Sequence, residues 1–149
     1  MAVVCAIAER GFFVKKFEEK TIDTKKIFDG KVIKLQVDSV TLPDGNTSKR
    51  ELIKHPGAVA IIALTEENNI VFVEQYRKAL EKTILEIPAG KLEDGEAPEV
   101  TAKRELEEET GYTTDHLELV TSFYTSPGFA DELVYVYFTN RLKRLQEDI

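Results

Sequence analysis

Apolar and polar residues alternate through residues 31–38 (KVIKLQVD), the period of a half-buried strand. A Pro and Asp-Gly turn follows at residues 42–46, and residues 49–55 (KRELIKH) read as the returning strand of a hairpin. These segments predict an N-terminal antiparallel β unit, which His55-Pro56-Gly57 then breaks. Residues 58–64 (AVAIIAL) form a continuous apolar run, the pattern of a strand buried on both faces. Residues 70–76 and 83–87 predict two more strands, the second ended by Pro88-Ala89-Gly90. A helix is expected over residues 98–110, with Pro98 suited to its first turn and Gly111 to the position just past its end. Strands follow at residues 117–125 and 133–139, separated by Ser126-Pro127-Gly128, and residues 141–148 predict a short terminal helix. Strands with one strong helix between them predict a mixed α+β domain. Its 149 residues fit a single domain, with residues 15–55 as an N-terminal β region and 57–149 as the core.

Composition narrows the classes of function. The formal net charge of −7 argues against a general nucleic-acid binder, whose footprint is basic. No apolar run approaches the ~18 residues of a membrane span, so no membrane partner is expected. The single cysteine, Cys5, excludes an intrachain disulfide and fits a reducing, cytoplasmic setting. Residues 1–14 are more apolar than the residues after them but lack a basic leader, so an edge strand or a disordered leader is expected there. An acidic chain repels a phosphate ester unless a divalent cation stands between them.

Residues 90–112 (GKLEDGEAPEVTAKRELEEETGY) supply a place for such a cation. At ~100° per residue, Glu105 and Glu109 sit one turn apart on one helix face, Glu108 lies beside them and Glu107 falls on the far side. Carboxylates so placed repel one another unless something positive sits between them, and Mg²⁺ prefers oxygen ligands. Glu109 also lies near the helix C-terminus, where the macrodipole disfavours negative charge. Helix stability alone does not explain these acids. Arg104 is placed to reach Glu108 at i,i+4. Glu96, close to the helix start, can meet the N-terminal dipole or Arg104. Gly90 and Gly95 permit a tightly folded loop before the helix.

The spacing Gly90, five residues, Glu96, seven residues, then Arg104-Glu105-Leu106-Glu107-Glu108-Glu109-Thr110-Gly111-Tyr112 resembles the Nudix box at every defined position. The order of strands around it also resembles a Nudix domain. The resemblance implies a mixed sheet sandwiched by helices. It implies Mg²⁺, or Mn²⁺, held by Glu105, Glu108 and Glu109 with the backbone carbonyl of Ala89, all converging at the loop of Ala89 and Gly90. The reaction implied is attack of water on a phosphorus of a pyrophosphate bridge, with Glu105, Glu108, Glu109 and Arg104 as the catalytic set.

Three features resemble the ADP-ribose pyrophosphatase branch of that family. Ser126-Pro127-Gly128-Phe129-Ala130-Asp131-Glu132 looks like its loop after the box, with Pro127 sixteen residues beyond Gly111; Glu132 matches a glutamate that helps bind the terminal ribose. Arg77, in Glu74-Gln75-Tyr76-Arg77, matches an arginine that contacts the diphosphate, for which a guanidinium is well suited. The N-terminal hairpin and KREL stretch resemble the branch's dimerisation region, where adenine binds between subunits; this makes Arg50 and Phe28 candidate adenine contacts in a homodimer. The substrate expected is a nucleoside diphosphate sugar, with ADP-ribose cleaved to AMP and ribose 5-phosphate. The alternatives are another nucleoside diphosphate sugar or nucleotide, and a catalytically weak module that binds a nucleotide diphosphate. Relatives in the branch carry a loop beyond the last strand with a glutamate proposed as catalytic base. That loop is expected beyond Ile149, and Glu147 and Asp148 do not match it by register. The C-terminal part is therefore expected to be short, with apolar surface left for a partner chain to cover. His55 is read as structural and His116 as an exposed loop residue. Tyr135, Tyr137 and Phe138 are read as a strand with one face in the core.

Overall fold

The computed structural model describes residues 17–145. The expectations for residues 1–14, Cys5, Glu147 and Asp148 lie outside these. In chain order the elements are β1 (Lys20–Asp29), β2 (Lys34–Thr41), β3 (Thr47–Lys54), β4 (Ala58–Ala63), β5 (Val73–Arg77), β6 (Lys82–Glu86), β7 (Ala89–Lys91), α1 (Pro98–Thr110), β8 (Tyr112–Thr113), β9 (Glu118–Tyr124), β10 (Leu133–Thr139) and β11 (Lys143–Arg144).

The N-terminal unit is a three-stranded antiparallel sheet in the order β1-β2-β3. The alternating pattern finds β2 and β3, but β1 has no such signature. Its residues are exposed throughout, and two register irregularities, between Thr21 and Asp23 and between Lys26 and Phe28, break any period of two. Backbone pairing with β2, rather than a buried face, defines that strand.

The main sheet has the order β7-β4-β10-β9 and is mixed: β4 runs parallel to β10, while the β4–β7 and β10–β9 pairs are antiparallel. The apolar run expected to be buried on both faces is the strand flanked on both edges. Val59, Ile61 and Ala63 of β4 point into the core, where they meet Ala102 and Leu106 of α1 and Tyr137 of β10. Ala60 is also buried, on the opposite face of the strand. The helix starts and stops where expected, with Pro98 in its first turn and Gly111 closing it in the left-handed region at φ 69°. Tyr135 packs against the core cluster beside Tyr137, and His116 is exposed.

Three expectations need correction. Pro88-Ala89-Gly90 does not merely end a strand. Ala89–Lys91 form β7, which pairs with β4 because Gly90 and Ala89 stand opposite Val59 and Ala60. The two strands expected over residues 70–76 and 83–87 are β5 and β6, which pair with each other as a hairpin. The terminal helix over residues 141–148 is absent among the described residues. Lys143 and Arg144 instead pair with Thr113 and Tyr112, the Leu145 N–H donates to the Gly111 carbonyl, and the Arg144 guanidinium lies 5.5 Å from the Tyr112 ring centroid. The expected sandwich is accordingly one-sided among the described residues. α1 covers one face of the sheet, and the edge strand β9 is exposed along its length, including Leu119, Val120, Phe123 and Tyr124.

Leu106 is fully buried between α1 and β4 and sets their separation. Leu106→Ala should lower unfolding free energy by about 2–5 kcal/mol, the range for a leucine truncated in a close-packed core. Urea denaturation checks this, and a loss below ~1 kcal/mol would show that α1 is not anchored there.

Candidate active site

The direction of each acid on α1 follows from the buried stripe of the helix. Ala102 and Leu106 face the sheet. Rotating away from that stripe at ~100° per residue, Glu109 comes first, then Glu105, then Glu108. The exposures follow that order for the outer two: the Glu105 side chain is 14% exposed and the Glu108 side chain 61%. Glu107 lies on the far flank as expected, where its carboxylate accepts from the Thr113 hydroxyl.

Gly90 makes the inner approach possible. A Cβ built there would stand 1.9 Å from Glu105 Cδ, so only glycine admits that carboxylate against β7. One residue away, the Ala89 N–H donates to Glu109 Oε2 at 3.0 Å, and Gln75 Nε2 of β5 donates to Glu109 Oε1 at 2.6 Å. These bonds offset the unfavourable position of Glu109 at the negative end of the helix dipole.

Arg104 ties the acids together. Its Nη2 donates to Glu96 Oε2 at 3.0 Å and its Nη1 to Glu105 Oε1 at 2.8 Å. The expected i,i+4 contact to Glu108 is the longest of the set, at 3.5 Å. The near-planar fork turns inward because Glu96 anchors it, and Thr101 Oγ1 braces Glu96 from the other side at 2.7 Å. Of the two expected partners for Glu96, Arg104 is the one found. The hydrogen bonds from Arg104 and then from Thr101 hold the Glu96 carboxyl below its ordinary value, and the same Glu96 bond raises Arg104. Glu105 behaves oppositely. Burial pushes its carboxyl up, against the hydrogen bond from Arg104, and the charges of Glu108 and Glu109 push the same way.

Glu105 and Glu109 line a cavity of about 650 Å³, together with Ala89, Gly90, Gln75, Arg77 and Glu132. This volume is within the range of small-molecule sites. Five of the expected residues thus come together: Glu105, Glu109, Ala89, Arg77 and Glu132. Glu108 and Arg104 sit outside the lining but are joined to it through Glu105. Among the described residues no three of these acids close into a ready metal cage. The donor set still suits a hard cation: carboxylate oxygens on adjacent helix positions and a glycine that clears space for one of them.

Arg77 is held by Glu86, through Nε to Oε1 at 2.7 Å and through Nη2 to Oε2. Arg50 and Phe28 do not reach the cavity. Arg50 bonds Glu19 at 2.6 Å and Ser48 at 3.0 Å within the N-terminal sheet. Phe28 is exposed and lies over Gly30, where a Cβ would stand 2.4 Å from its ring.

Within the Pro127 segment Glu132 alone lines the cavity, and the residues before it brace it. Phe129 and Ala130 N–H groups fold back onto the Ser126 carbonyl, the Ile53 N–H donates to the Phe129 carbonyl at 2.7 Å, and the Asp131 N–H donates to the Ile53 carbonyl at 3.2 Å. Asp131 then takes the Lys54 ammonium at 2.9 Å and the His55 N–H at 2.9 Å. The loop is stitched to β3, and Glu132 follows with Oε2 accepting from Thr125 Oγ1 at 2.6 Å. Gln75, His55, Val32 and Val134 line the cavity without having been expected there. Gln75 was legible: two residues before Arg77 on one strand, it shares that residue's face. His55 comes from the far end of the chain's own N-terminal sheet, and no local pattern gives its direction. A second depression, about 450 Å³ on the other flank of α1, contains Glu107 and His116 but none of the inner acids.

Two outcomes follow from this geometry. Gly90→Ala should evict the Glu105 carboxylate and weaken divalent-cation affinity at least ~10–100-fold, the loss typical for disturbing a ligand's support, while the midpoint of thermal unfolding barely moves. Mn²⁺ titration beside a melting curve reads both. For Glu96, the folded carboxyl is depressed below its ordinary value of 4.5, so the unfolded chain binds its proton more readily. Its contribution to stability is present above that ordinary value and is lost as pH falls through the lower folded value. Glu96→Gln should therefore flatten the acid limb of a melting-temperature profile below about pH 4.5 and leave the neutral slope alone.

Comparisons with known proteins bear on this arrangement. The chain is 65% identical over 130 residues to the Methanol dehydrogenase activator of Bacillus methanolicus, covering 87% of this chain and 70% of that one. It is 61% identical over 134 residues to the ADP-ribose pyrophosphatase of Bacillus subtilis (strain 168), covering 90% and 72%. In fold it matches a crystal structure described as an ADP compounds hydrolase, with a TM-score of 0.76 at 16% identity over 89% of this chain and 73% of the other. A family model for the NUDIX domain matches residues 54–148, the stretch that holds Gly90, the acids of α1, Arg104 and the Pro127 loop, and the chain belongs to the Nudix family.

Proposed function

We propose that this chain hydrolyses the pyrophosphate bond of ADP-ribose, so that ADP-ribose and water give AMP and ribose 5-phosphate. The observation that carries this reading is the meeting of Glu105, Glu109, Arg77 and Glu132 around one cavity. The name of the Bacillus subtilis relative, at 61% identity over 90% of this chain, supports the choice of substrate.

Glu105, Glu108 and Glu109, with the Ala89 carbonyl, are the oxygen donors that would hold Mg²⁺ or Mn²⁺. When bound, such a cation neutralises a diphosphate and lowers the pKa of a coordinated water. The chain's own residues do the rest. Arg104 restrains Glu105 from one side, and Gln75 with the Ala89 N–H fixes Glu109 from the other. Arg77 presents a guanidinium to the diphosphate while Glu86 keeps its fork in place. Glu132, braced by Thr125, accepts from hydroxyls of the terminal ribose.

Arg50 and Phe28 belong to this reading only as contributions from a second copy. The N-terminal sheet offers an exposed β1 with Ile22, Ile27 and Phe28 on its surface, the kind of face a homodimer covers. In that arrangement the adenine of one site rests on the sheet of the other chain.

Purified chain with ADP-ribose and Mg²⁺ should release AMP, and EDTA should abolish the release. Glu105→Gln should reduce kcat at least ~10–100-fold, since a direct ligand matters no less than the groups that support one. AMP release unchanged in that variant would overturn the ligand assignment. A panel of nucleoside diphosphate sugars decides the alternative substrate, and Mg²⁺-dependent binding of ADP-ribose without AMP release would mark a binding module instead.

A further inference from the structure

His55 is the one histidine in the cavity wall, and neither the box nor the loop after it assigns it a role. It follows β3 and precedes Pro56-Gly57. Its backbone N–H donates to Asp131 Oδ1 at 2.9 Å, which fixes where the ring starts. The Gly57 N–H then donates to the ring's Nδ1 at 3.0 Å. Gly57 can turn back in this way because it sits at φ +93°, in the left-handed region open to glycine.

That bond settles the tautomer. A ring nitrogen that accepts a backbone N–H carries a lone pair, so the proton of the neutral imidazole is on Nε2. Glu132 Oε1 lies 3.6 Å from the same Nδ1, which on distance alone could be taken for an ion pair. Nδ1 cannot accept from Gly57 and donate to Glu132 at once, and 3.0 Å is hydrogen-bonding distance whereas 3.6 Å is not. The ring is only 11% exposed, yet Nε2 has no hydrogen-bond partner among the described residues, and no buried side-chain nitrogen or oxygen among them is left unpaired. Nε2 is therefore accessible, on a ring that lines the cavity.

The His55 ring and the Glu132 carboxylate line the same cavity, 3.6 Å apart at Nδ1 and Oε1, so an N–H donor and a carboxylate acceptor are presented at one end of the site. We infer that His55 Nε2–H and the Glu132 carboxylate form a donor–acceptor pair that reads adjacent hydroxyls of the distal sugar of a nucleoside diphosphate sugar, with His55 as a substrate-binding residue. This rests on the proposed function. A sugar hydroxyl both donates and accepts, so neighbouring hydroxyls can give a proton to Glu132 and take one from Nε2. Neither group can satisfy the other, because Nδ1 is already engaged. A ligand completes both, and a sugar that turns a hydroxyl away leaves one unpaired.

Two substitutions separate this role from a purely structural one. His55→Asn keeps an acceptor where Nδ1 stands, for the Gly57 N–H, and removes the distal donor. His55→Gln reaches further and restores a donor near Nε2. With ADP-ribose and Mg²⁺, His55→Asn should raise KM about 3–10-fold, the worth of one net hydrogen bond, with kcat within twofold and an unchanged melting temperature. His55→Gln should recover part of that loss. The inhibition constant of ADP, which lacks the distal sugar, should be the same in all three proteins. A wild-type KM in His55→Asn overturns the inference, as does a matched fall in kcat and melting temperature, which is the mark of a structural residue. An ADP inhibition constant that rises with KM places the contact on the diphosphate and overturns the sugar assignment. Should the wild-type chain release no AMP, the functional reading fails separately, and the same comparison is read from the Kd of ADP-ribose by titration calorimetry.

Discussion

The closeness of α1 to β7 governs the rest of the structure. Glu105 lies so near the backbone of Gly90 that no side chain fits between them. That distance is produced by packing: Ala102 and Leu106 press on Val59 and Ile61, while β4 holds β7 by pairing Ala60 with Ala89. Small residues at the sheet and helix contacts let the two layers approach. An acid one helical step from the buried stripe is then carried to the edge of the core, rather than out into water. The hydrophobic core and the acidic site are consequences of the same interface, since the rotation that buries Leu106 also turns Glu109 and Glu105 inward.

Electrostatics then sets what the site requires. Glu105, Glu109 and Glu132 face one cavity in a protein whose net charge is −7. The nearest guanidinium, Arg104, divides its donors among Glu96, Glu105 and Glu108, and Arg77 is committed in part to Glu86. Arg77 and Lys91 are the basic side chains that line the cavity with three acids, and burial raises the Glu105 carboxyl. A diphosphate entering unaccompanied would add repulsion to these acids. An oxygen-preferring cation relieves both the acid–acid and the acid–phosphate repulsion, which is why an acidic wall and an anionic substrate are compatible.

Much of this was legible in the sequence because it is local. The helix from Pro98 to Thr110 is written in Pro98, Gly111 and a charge period that turns three acids toward one side. The buried central strand is written in an unbroken apolar run. β1 was not legible, because a strand exposed on every residue and irregular in register has no period to read. β7 was hidden because Pro88-Ala89-Gly90 looks like an interruption, and only a partner strand makes it a ladder. The terminal segment read as helical because pairing of Lys143 and Arg144 with β8 is a long-range fact. In the site, Arg104 was expected to favour Glu108 by helix spacing, but Glu96, from the loop before the helix, supplies closer oxygens and wins the contact. Local pattern gave the chemistry of each residue; which one faced the cavity depended on partners far away in the chain.

The same distinction explains why the N-terminal sheet is part of the site and not an appendage. Asp131 reaches back across 76 residues to bind the His55 N–H, and across 77 to bind the Lys54 ammonium. Ile53 exchanges backbone hydrogen bonds with Phe129 and Asp131 on either side of Ala130. The end of β3 and the loop before β10 are therefore one unit, and His55 and Glu132 leave that unit together on the cavity side. The constraint runs both ways. The turn at Ser126-Pro127-Gly128 fixes Glu132 only while β3 is there to take its backbone bonds, and the ring of His55 is directed only while Asp131 holds its backbone N–H and Gly57 holds its Nδ1. A loop that reads in sequence as a substrate signature acts first as a clamp, and the placement of its glutamate is what that clamp produces.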